Sequence, residues 1–320
     1  MSSRIKLQHH VTTVVRSVQR ETEGISRYEL ADPDDWELPP FAAGAHITLY
    51  LPNGMARPYS LCGSPRVRNR YWIAVQRQEQ GRGGSLEIHR RLQVGSIVPV
   101  SLPSNDFSLA RAASGHLLIA GGIGITAVLS MAEELASAGD QFRMHFTARS
   151  AAEMAFRDYI RRSHWAARVQ LYFSGEPGGQ RLNIDTILSG LQPGEHVYCC
   201  GPASMLDAFT QASRSLSPEI THVERFAGLT SPSGPHFTVA LAKSGIDVPV
   251  APGESIVEAL RRAGVEIGTS CEAGVCGTCK VRYLSGLPEH RDLVLSSTQR
   301  QRYMLPCVSR CIGERLVIDL

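Results

Sequence analysis

The interpretation of this chain depends on one stretch, Ser270-Cys271-Glu272-Ala273-Gly274-Val275-Cys276-Gly277-Thr278-Cys279, together with Cys307. The cysteines have the spacing C-x4-C-x2-C, and the fourth follows after twenty-seven residues. Plant-type loops that bind a 2Fe–2S cluster have this spacing, with three thiolates from one tight loop and a fourth from a distant segment. Gly274 and Gly277 suit such a loop because glycine allows positive φ and a close approach of backbone to a ligand. The predicted ligands are Cys271, Cys276, Cys279 and Cys307.

Two other kinds of cysteine site remain as alternatives. Structural zinc sites use tetrahedral cysteine sets, but they favour two C-x2-4-C knuckles over one asymmetric loop. A disulfide framework is typical of a short secreted chain, and this chain has 320 residues. The spacing therefore favours the 2Fe–2S cluster over both.

Length and composition limit the class of protein. A chain of 320 residues is long enough for two or three domains. A hydrophobic content of 43% and a charged content of 20% are ordinary for a soluble globular protein. The net charge of +3 is too small to indicate nucleic-acid binding. No apolar run approaches the roughly 18 residues of a transmembrane helix, so we expect no membrane segment.

Cysteine use indicates the compartment. Four of the eight cysteines are not predicted ligands: Cys62, Cys199, Cys200 and Cys311. The N-terminus lacks the apolar region of a signal peptide. We therefore expect these four to be free thiols in a reducing cytoplasm.

The N-terminal third, residues 1–110, has the pattern of an antiparallel β-barrel. Short apolar or alternating runs at residues 11–18, 46–51, 71–77 and 96–102 are separated by proline and glycine. Gly83, Gly84 and Ser85 precede a predicted helix over residues 86–92, and free amides at a helix start favour a phosphate. An ordinary turn is the alternative. With Arg57 and Tyr59 the set suits a flavin mononucleotide (FMN) site.

Residues 111–226 change to an α/β pattern. A continuous apolar run at 116–120, typical of a buried parallel strand, leads into a glycine turn and a predicted helix over 128–138. Further strands are predicted at 142–148, 169–173, 195–199 and 220–226, and a helix at 152–163. Ligands of such sheets lie at the carboxyl ends of the strands. Arg149, at one of these ends, suits an adenosine ribose, although a solvated loop charge is the alternative.

The C-terminal part begins after a Gly/Ser/Pro-rich stretch, residues 227–235, that indicates a linker. A hairpin at residues 237–241 and 246–250 and a helix at 256–263 precede the cysteine loop. This order favours a β-grasp ferredoxin domain over residues 236–320. The predicted fold class is multidomain: flavin barrel, parallel-sheet nicotinamide domain and ferredoxin.

These motifs together resemble the phthalate dioxygenase reductase and vanillate O-demethylase reductase family over nearly the whole chain. Arg57-Pro58-Tyr59-Ser60 is similar to the family's R-x-Y-S. The resemblance implies that Arg57 binds the flavin phosphate, Tyr59 packs by the ring and Ser60 bonds near its N5 atom. It implies that the flavin is FMN and not FAD. It also implies further contacts with FMN from Ile73, Val75, Gly83, Gly84 and Ser85.

The resemblance extends to the nucleotide-binding loops. The segment 121–126 is similar to the family's pyrophosphate loop, which implies contacts from Gly122, Gly124 and Thr126. Ala127 stands where many relatives have proline. Cys200, Gly201 and Pro202 correspond to the nicotinamide-side loop. Phe226 matches an aromatic residue that covers the flavin in this family, and a core phenylalanine is the alternative.

The resemblance implies an NADH-dependent reductase of a Rieske non-haem iron oxygenase. Electrons would pass from NADH through FMN to the 2Fe–2S cluster and on to the oxygenase in a transient complex. Ser60, Cys200 and Phe226 are the candidate catalytic residues, and the protein is expected to be a monomer. A reductase that serves a haem hydroxylase or a desaturase remains open, as does a zinc-binding module. NADPH remains an alternative to NADH because Arg149 could hold a 2′-phosphate.

Overall fold

The structure is a computed structural model that describes residues 10–52, 55–80, 83–226, 234–269, 272, 274, 277–292 and 294–320. It divides into two compact units, Met1–Glu224 and Arg225–Leu320. Among the described residues, the first unit contains two sheets and the second contains two more. The predicted multidomain fold class is confirmed. Among the described residues, no helix has both the length and the apolar character that crossing a bilayer requires.

An antiparallel sheet of six strands forms the N-terminal part of the first unit, in the order β4-β3-β6-β1-β2-β5. The strands are β1 (His10–Arg20), β2 (Ile25–Ala31), β3 (His46–Tyr50), β4 (Ala56–Ser60), β5 (Tyr71–Gln76) and β6 (Ile97–Ser101). The two edge strands β4 and β5 contact each other, so the sheet closes into the predicted barrel. Helix α1 (Gly84–Arg91) follows β5 and contacts it. The alternating inward residues form the barrel core.

A parallel sheet of five strands follows in the order β11-β10-β7-β8-β9. The strands are β7 (Gly115–Gly121), β8 (Phe142–Ala148), β9 (Val169–Phe173), β10 (Glu195–Cys200) and β11 (Thr221–Glu224). The helices are α2 (Ile125–Ala138), α3 (Arg157–Arg162), α4 (Ile184–Ser189) and α5 (Ala203–Ala212). Every residue of β7 is buried, which explains its continuous apolar pattern.

The barrel and the parallel sheet share one core. Ile25, Ala74 and Phe107 from the barrel side belong to the same cluster of buried residues as Met131 and Phe156. Gly44, which precedes β3, comes so close that a Cβ atom there would lie 2.8 Å from Cε of Met131 in α2. The two sheets are therefore fixed against each other by packing.

The second unit is a five-stranded sheet with the order β13-β12-β18-β14-β16, plus a two-stranded sheet of β15 and β17. Its strands are β12 (Phe237–Leu241), β13 (Ile246–Val250), β14 (Val281–Ser285), β15 (Pro288–Glu289), β16 (Tyr303–Met304), β17 (Arg310–Cys311) and β18 (Arg315–Ile318). Its helices are α6 (Ile256–Arg262) and α7 (Ser297–Arg300). A capping box of Ser255 and Glu258 begins α6. The predicted hairpin of β12 and β13 is confirmed.

One predicted element differs in the structure. A single helix over residues 152–163 was expected, but α3 covers only Arg157–Arg162 after a short 3-10 turn at Ala151–Glu153. Phe156 breaks the helix with a φ of 59°. Its ring is buried in the shared core and its amide donates to Glu21 Oε2 at 3.1 Å, so tertiary contacts outweigh the helical pattern.

Candidate functional site

The residues predicted to bind the flavin phosphate come together at the start of α1. Gly83 caps this helix with a φ of 78°, and no side chain caps the free amides. A Cβ atom at Gly84 would lie 2.7 Å from Nε of Arg57, so glycine lets the guanidinium of β4 reach the helix start. A guanidinium beside free helix amides is suited to a phosphate group. The residues therefore fit the phosphate of FMN.

Strand β4 also places Tyr59 and Ser60 beside this point. Burial raises the pKa of Tyr59 above its ordinary value, against the opposing charge of Arg57, so its phenol stays neutral at neutral pH. Ser60 is buried. The hydroxyl of Ser85 accepts from the amide of Gln78 at 3.1 Å, so one of its lone pairs is in use.

The side chains of Ile73 and Val75 do not lie where direct contacts with a flavin ring would be expected. Both side chains are fully buried in the barrel core on β5, and any contact with the ring would come from the neighbouring backbone. Their assignment to FMN stays a prediction.

The two predicted nucleotide loops meet at the carboxyl edge of the parallel sheet. Strands β7 and β10 pair in register, with Ala120 opposite Cys200. A Cβ atom at Gly124 would lie 2.3 Å from the carbonyl oxygen of Cys200, and one at Gly201 would lie 3.2 Å from Cα of Gly121. Both glycines are therefore required by close backbone approach. The place where the two loops meet suits a pyrophosphate at the N-terminus of α2.

Other predicted nucleotide residues occupy this edge. Thr126 is buried and donates from Oγ1 to the carbonyl oxygen of Ile123 at 2.9 Å, which fixes the turn before α2. Gly122 has a φ of 52°. Pro202 precedes α5 as its N-cap. Arg149 is exposed at the end of β8, as predicted, and its carbonyl oxygen accepts from Gly175.

Cys200 is fully buried, and burial raises the pKa of its thiol well above the ordinary value, with further contributions from Glu224 and Cys199. The thiol is therefore neutral and a poor nucleophile. This supports a packing role for Cys200 at the nicotinamide loop.

Glu224 is a residue of this edge that the sequence reasoning missed. It lies opposite Cys200 in the pairing of β10 with β11. Burial, followed by the charge of Asp106, raises the pKa of Glu224 to about 8. Its Oε2 atom is buried and finds no hydrogen-bond partner among the described residues. An acidic residue at the carboxyl end of the neighbouring strand was the available signal.

Phe226, the third candidate catalytic residue, comes two residues after β11 and is assigned to the second unit. Its side chain is 41% exposed. Its role as a cover for the flavin stays a prediction.

The predicted cluster ligands are described in part. Cys279 and Cys307 are buried in one apolar cluster of the second unit, which also contains Leu305. Cys271 and Cys276 lie outside the described residues. Gly274 and Gly277 adopt the predicted positive φ, at 75° and 78°. A Cβ atom at Gly274 would lie 2.7 Å from Cγ2 of Val308, so the loop fits closely over the segment that follows Cys307. Two buried cysteines in one cluster, with glycines of positive φ at Gly274 and Gly277, fit a 2Fe–2S site.

The cysteines that are not predicted ligands are buried and lie outside any disulfide between described residues: Cys62, Cys199, Cys200 and Cys311. Burial raises the pKa of Cys62 to about 12. These thiols are therefore unreactive core residues.

Comparison with known proteins gives consistent matches. Residues 239–311 match the 2Fe-2S iron-sulfur cluster binding domain family. Phthalate dioxygenase reductase from Burkholderia cepacia is 37% identical over 309 residues, covering 96% of each chain. The heme-dependent oxidative N-demethylase beta subunit from Ectopseudomonas mendocina is 42% identical over 285 residues, covering 88% of this chain and 90% of the relative.

A solved structure matches along the whole fold. It is phthalate dioxygenase reductase, described as a modular structure for electron transfer from pyridine nucleotides to [2Fe-2S]. The TM-score is 0.87 at 37% identity, covering 97% of this chain and 98% of that one. The predicted electron-transfer oxidoreductase and its cofactors, FMN, NADH and a 2Fe–2S cluster, are thereby confirmed, and zinc is disfavoured. This chain belongs to the phthalate dioxygenase reductase family.

Proposed function

We propose that this protein is the reductase component of a multicomponent Rieske non-haem iron oxygenase of the aromatic dioxygenase or O-demethylase type. The observation that carries the proposal is the presence in one chain of three sites: Arg57 against the start of α1, two touching glycine loops, and buried cysteines under a turned loop. The bound cofactors supply the conversion of two-electron into one-electron transfer.

The flavin half of the site orients and holds its ligand. Arg57 and the amides at Gly84 and Ser85 bind the phosphate, which fixes the position of the ring. The neutral phenol of Tyr59 packs beside the ring, and the hydroxyl of Ser60 stands near its reactive nitrogen. By the family resemblance, Phe226 would cover the face of the ring that nicotinamide uses. These residues determine where a hydride can be delivered.

The nucleotide half positions NADH. The turn of Gly122, Gly124 and Thr126 binds the pyrophosphate, and Gly201 lets the second loop approach the nicotinamide. Arg149 binds at the adenosine ribose. Cys200 shapes the pocket as a neutral thiol. No general acid or base is required of these side chains for hydride transfer.

The C-terminal module holds the cluster through Cys271, Cys276, Cys279 and Cys307. We assign residues 1–110 to the flavin domain, 111–226 to the nicotinamide domain, 227–235 to a linker and 236–320 to the ferredoxin domain. The protein acts as a cytoplasmic monomer that meets its oxygenase in a transient complex. Mixed charge in the sequence around the cluster cysteines, including Lys280, Glu289 and Arg291, suits such brief docking.

A haem-containing acceptor is the second candidate partner. The 42% identity to a subunit of a heme-dependent oxidative N-demethylase favours it specifically. The two candidates differ in the acceptor and share the whole electron path within this chain.

Cofactor analysis followed by turnover tests the proposal. Protein produced with sufficient iron should release FMN on extraction and contain two irons and two sulfides per chain. It should bleach with NADH and give a rhombic paramagnetic signal after dithionite. NADH-driven turnover should occur with a purified Rieske oxygenase; turnover only with a haem acceptor would favour the second candidate. A tenfold preference for NADPH would overturn the nucleotide assignment, and colourless protein would overturn the function.

A further inference from the structure

A polar cleft of about 400 Å³ lies in the first unit, and no glycine of the nucleotide loops lines it. Its walls are the β1–β2 hairpin of the barrel and the segment from the end of β8 through α3. The charged residues that line it are Arg20, Glu21, Arg27, Arg157, Asp158 and Arg162. Four arginines and two acids give the cleft an excess of positive charge.

Both acids already have cationic partners. Oε1 of Glu21 lies 3.4 Å from Nε of Arg27. Oε2 of Glu21 accepts a hydrogen bond from the amide of Phe156. Asp158 lies 3.3 Å from Nε of Arg157. The carboxylates therefore neutralise these two arginines and leave the other two uncompensated.

The remaining arginines point to an anion. Arg20 donates from Nε to the carbonyl oxygen of Thr22 at 3.3 Å, which leaves its charge unpaired. Arg162 is exposed and has no hydrogen bond or ion pair with any other residue that the structure describes. A guanidinium binds phosphate and carboxylate oxygens through paired N–H groups.

Arg27 gives the cleft a guanidinium that is fixed in place, although its charge is balanced by Glu21. Its guanidinium carbon lies 4.2 Å from the centroid of the Trp72 ring, and its side chain is 14% exposed. Arg27 also hydrogen-bonds Gln19. These contacts hold the guanidinium in place before any ligand arrives, which lowers the entropy cost of binding.

We propose that this cleft binds a small organic polyanion through its phosphate or carboxylate oxygens. Its volume is in the range of small-molecule sites and exceeds that of a single phosphate ion. Its lining contains none of Gly122, Gly124, Gly201 or Arg149, the residues proposed to contact NADH. The inference does not depend on the proposed function.

A ligand in this position bridges the barrel and the parallel-sheet domain. It touches the β1–β2 hairpin on one side and α3 on the other, and that arrangement exists only in the folded protein. Binding should therefore raise the melting temperature of the first unit.

Calorimetric titration of the full-length, flavin-loaded protein tests the inference. Sodium pyrophosphate and sodium citrate are titrated separately, at constant ionic strength and with saturating NAD⁺ to block the nucleotide loops. Saturable one-site binding of pyrophosphate alone indicates a phosphate ligand, and of citrate alone a carboxylate ligand; binding of both indicates the shared chemistry. Each result supports the cleft as a site. Absence of saturable binding by both anions, or binding abolished by NAD⁺, overturns it.

Two neighbouring variants supply a matched comparison. Arg161 and Arg162 are adjacent exposed residues of α3, but only Arg162 lines the cleft. Arg162→Ala should weaken the affinity for the bound anion at least about tenfold, which corresponds to about 1.4 kcal/mol. Arg161→Ala should leave it within about twofold, since the two variants lose the same net charge. Equal weakening by both would mean nonspecific attraction and would overturn the assignment.

Discussion

Nη2 of Arg261 lies 2.7 Å from Oε1 of Glu272, which directly follows the predicted ligand Cys271. The Glu272 side chain is 4% exposed. The backbone φ of Glu272 is 47°, which is uncommon for a residue other than glycine. The hydroxyl of Thr269 also donates to this oxygen, at 3.2 Å. Because Arg261 belongs to α6, the ion pair ties that helix to the loop predicted to hold the cluster.

Removing the negative charge of this pair and removing its positive charge should shift the reduction potential of the cluster in opposite directions. Glu272→Gln leaves the positive charge of Arg261 unbalanced and should raise the potential, since an added electron is then favoured. Arg261→Met leaves a buried carboxylate and should lower it. We expect shifts of about 20–60 mV, or about 0.5–1.4 kcal/mol for one electron. A redox titration followed by paramagnetic resonance of the holoprotein measures both.

Arg262 provides the control for this pair, because it is the next residue of α6 and pairs with Glu254. Arg262→Met should change the potential by less than about 10 mV. Shifts of the same sign in Glu272→Gln and Arg261→Met would contradict an electrostatic effect of the pair and would indicate a rearranged loop.

Gly84→Ala should weaken FMN binding. The new Cβ would lie 2.7 Å from Nε and 2.8 Å from Cγ of Arg57, so the arginine must move away from the helix start. We expect at least about a tenfold loss of affinity, or about 1.4 kcal/mol, because a charge-assisted phosphate contact is lost. Fluorescence titration of the flavin-free protein with FMN measures this. Gly24→Ala, which meets nothing within 4 Å, should bind normally; equal loss in both variants would refute the role of Arg57.

Gly201→Ala should slow reduction by NADH without loss of flavin. A Cβ there would lie 2.7 Å from Cε of Met205 and 3.2 Å from Cα of Gly121, so the second nucleotide loop must shift from the first. The shifted loop should displace the nicotinamide, and such a displacement should lower the rate of hydride transfer by about 10–100-fold. Stopped-flow measurement of flavin bleaching gives the rate, and the flavin content should equal that of the unmodified protein. An unchanged rate would show that nicotinamide does not use this loop.

Glu224 should make the stability depend on pH between about 4.5 and 8. Its folded pKa is raised from 4.5 to about 8, so the native state binds the proton more tightly than the unfolded state. The resulting stabilisation is complete below pH 4.5 and is lost as the pH rises through about 8. Glu224→Gln removes this dependence, so relative to the unmodified protein it should gain about 1–3 kcal/mol between pH 5 and pH 8.5.

Urea denaturation at the two pH values measures the difference between Glu224→Gln and the unmodified protein. Glu219→Gln is the control, since Glu219 is exposed in the same part of the chain. A difference that does not change with pH would contradict the raised pKa of Glu224.

Cys276→Ser should separate the two halves of the electron path. NADH-driven bleaching of the flavin should persist, because the proposed flavin phosphate site and both nucleotide loops lie in the first unit. Reduction of cytochrome c should fall at least about tenfold when a cluster ligand is lost. Cys311→Ser applies the same change to a cysteine that is not a predicted ligand, and it should keep cytochrome c reduction. Unchanged reduction in Cys276→Ser would show that electrons leave directly from the flavin.

Short-range patterns in the sequence predicted the elements well. Strand β7 and the hairpin of β12 and β13 follow directly from apolar runs and turn residues. The proximity of Arg57 to the start of α1 was predictable because both features suit the binding of a phosphate. Positive φ at Gly274 and Gly277 follows from the cysteine spacing.

Long-range contacts could not be predicted in the same way. The break in the helix before α3 depends on Glu21, 135 residues from Phe156, which accepts the Phe156 amide. The raised pKa of Glu224 depends on burial and on Asp106, neither of which is visible in the local sequence. Arg261 and Glu272 are eleven residues apart across a helix end, and only the fold shows that their charges meet.

The core shared by the barrel and the parallel sheet has a consequence for how such chains can be recombined. Because Ile25 and Phe107 are packed with Met131 and Phe156, a chimaera that exchanged either sheet alone would have to match every one of these surfaces. The segment Met1–Glu224 should therefore be exchanged as a single piece. The residues after Glu224 have a hydrophobic core of their own, but Phe226 among them, which is proposed to cover the flavin, should be kept with the first segment.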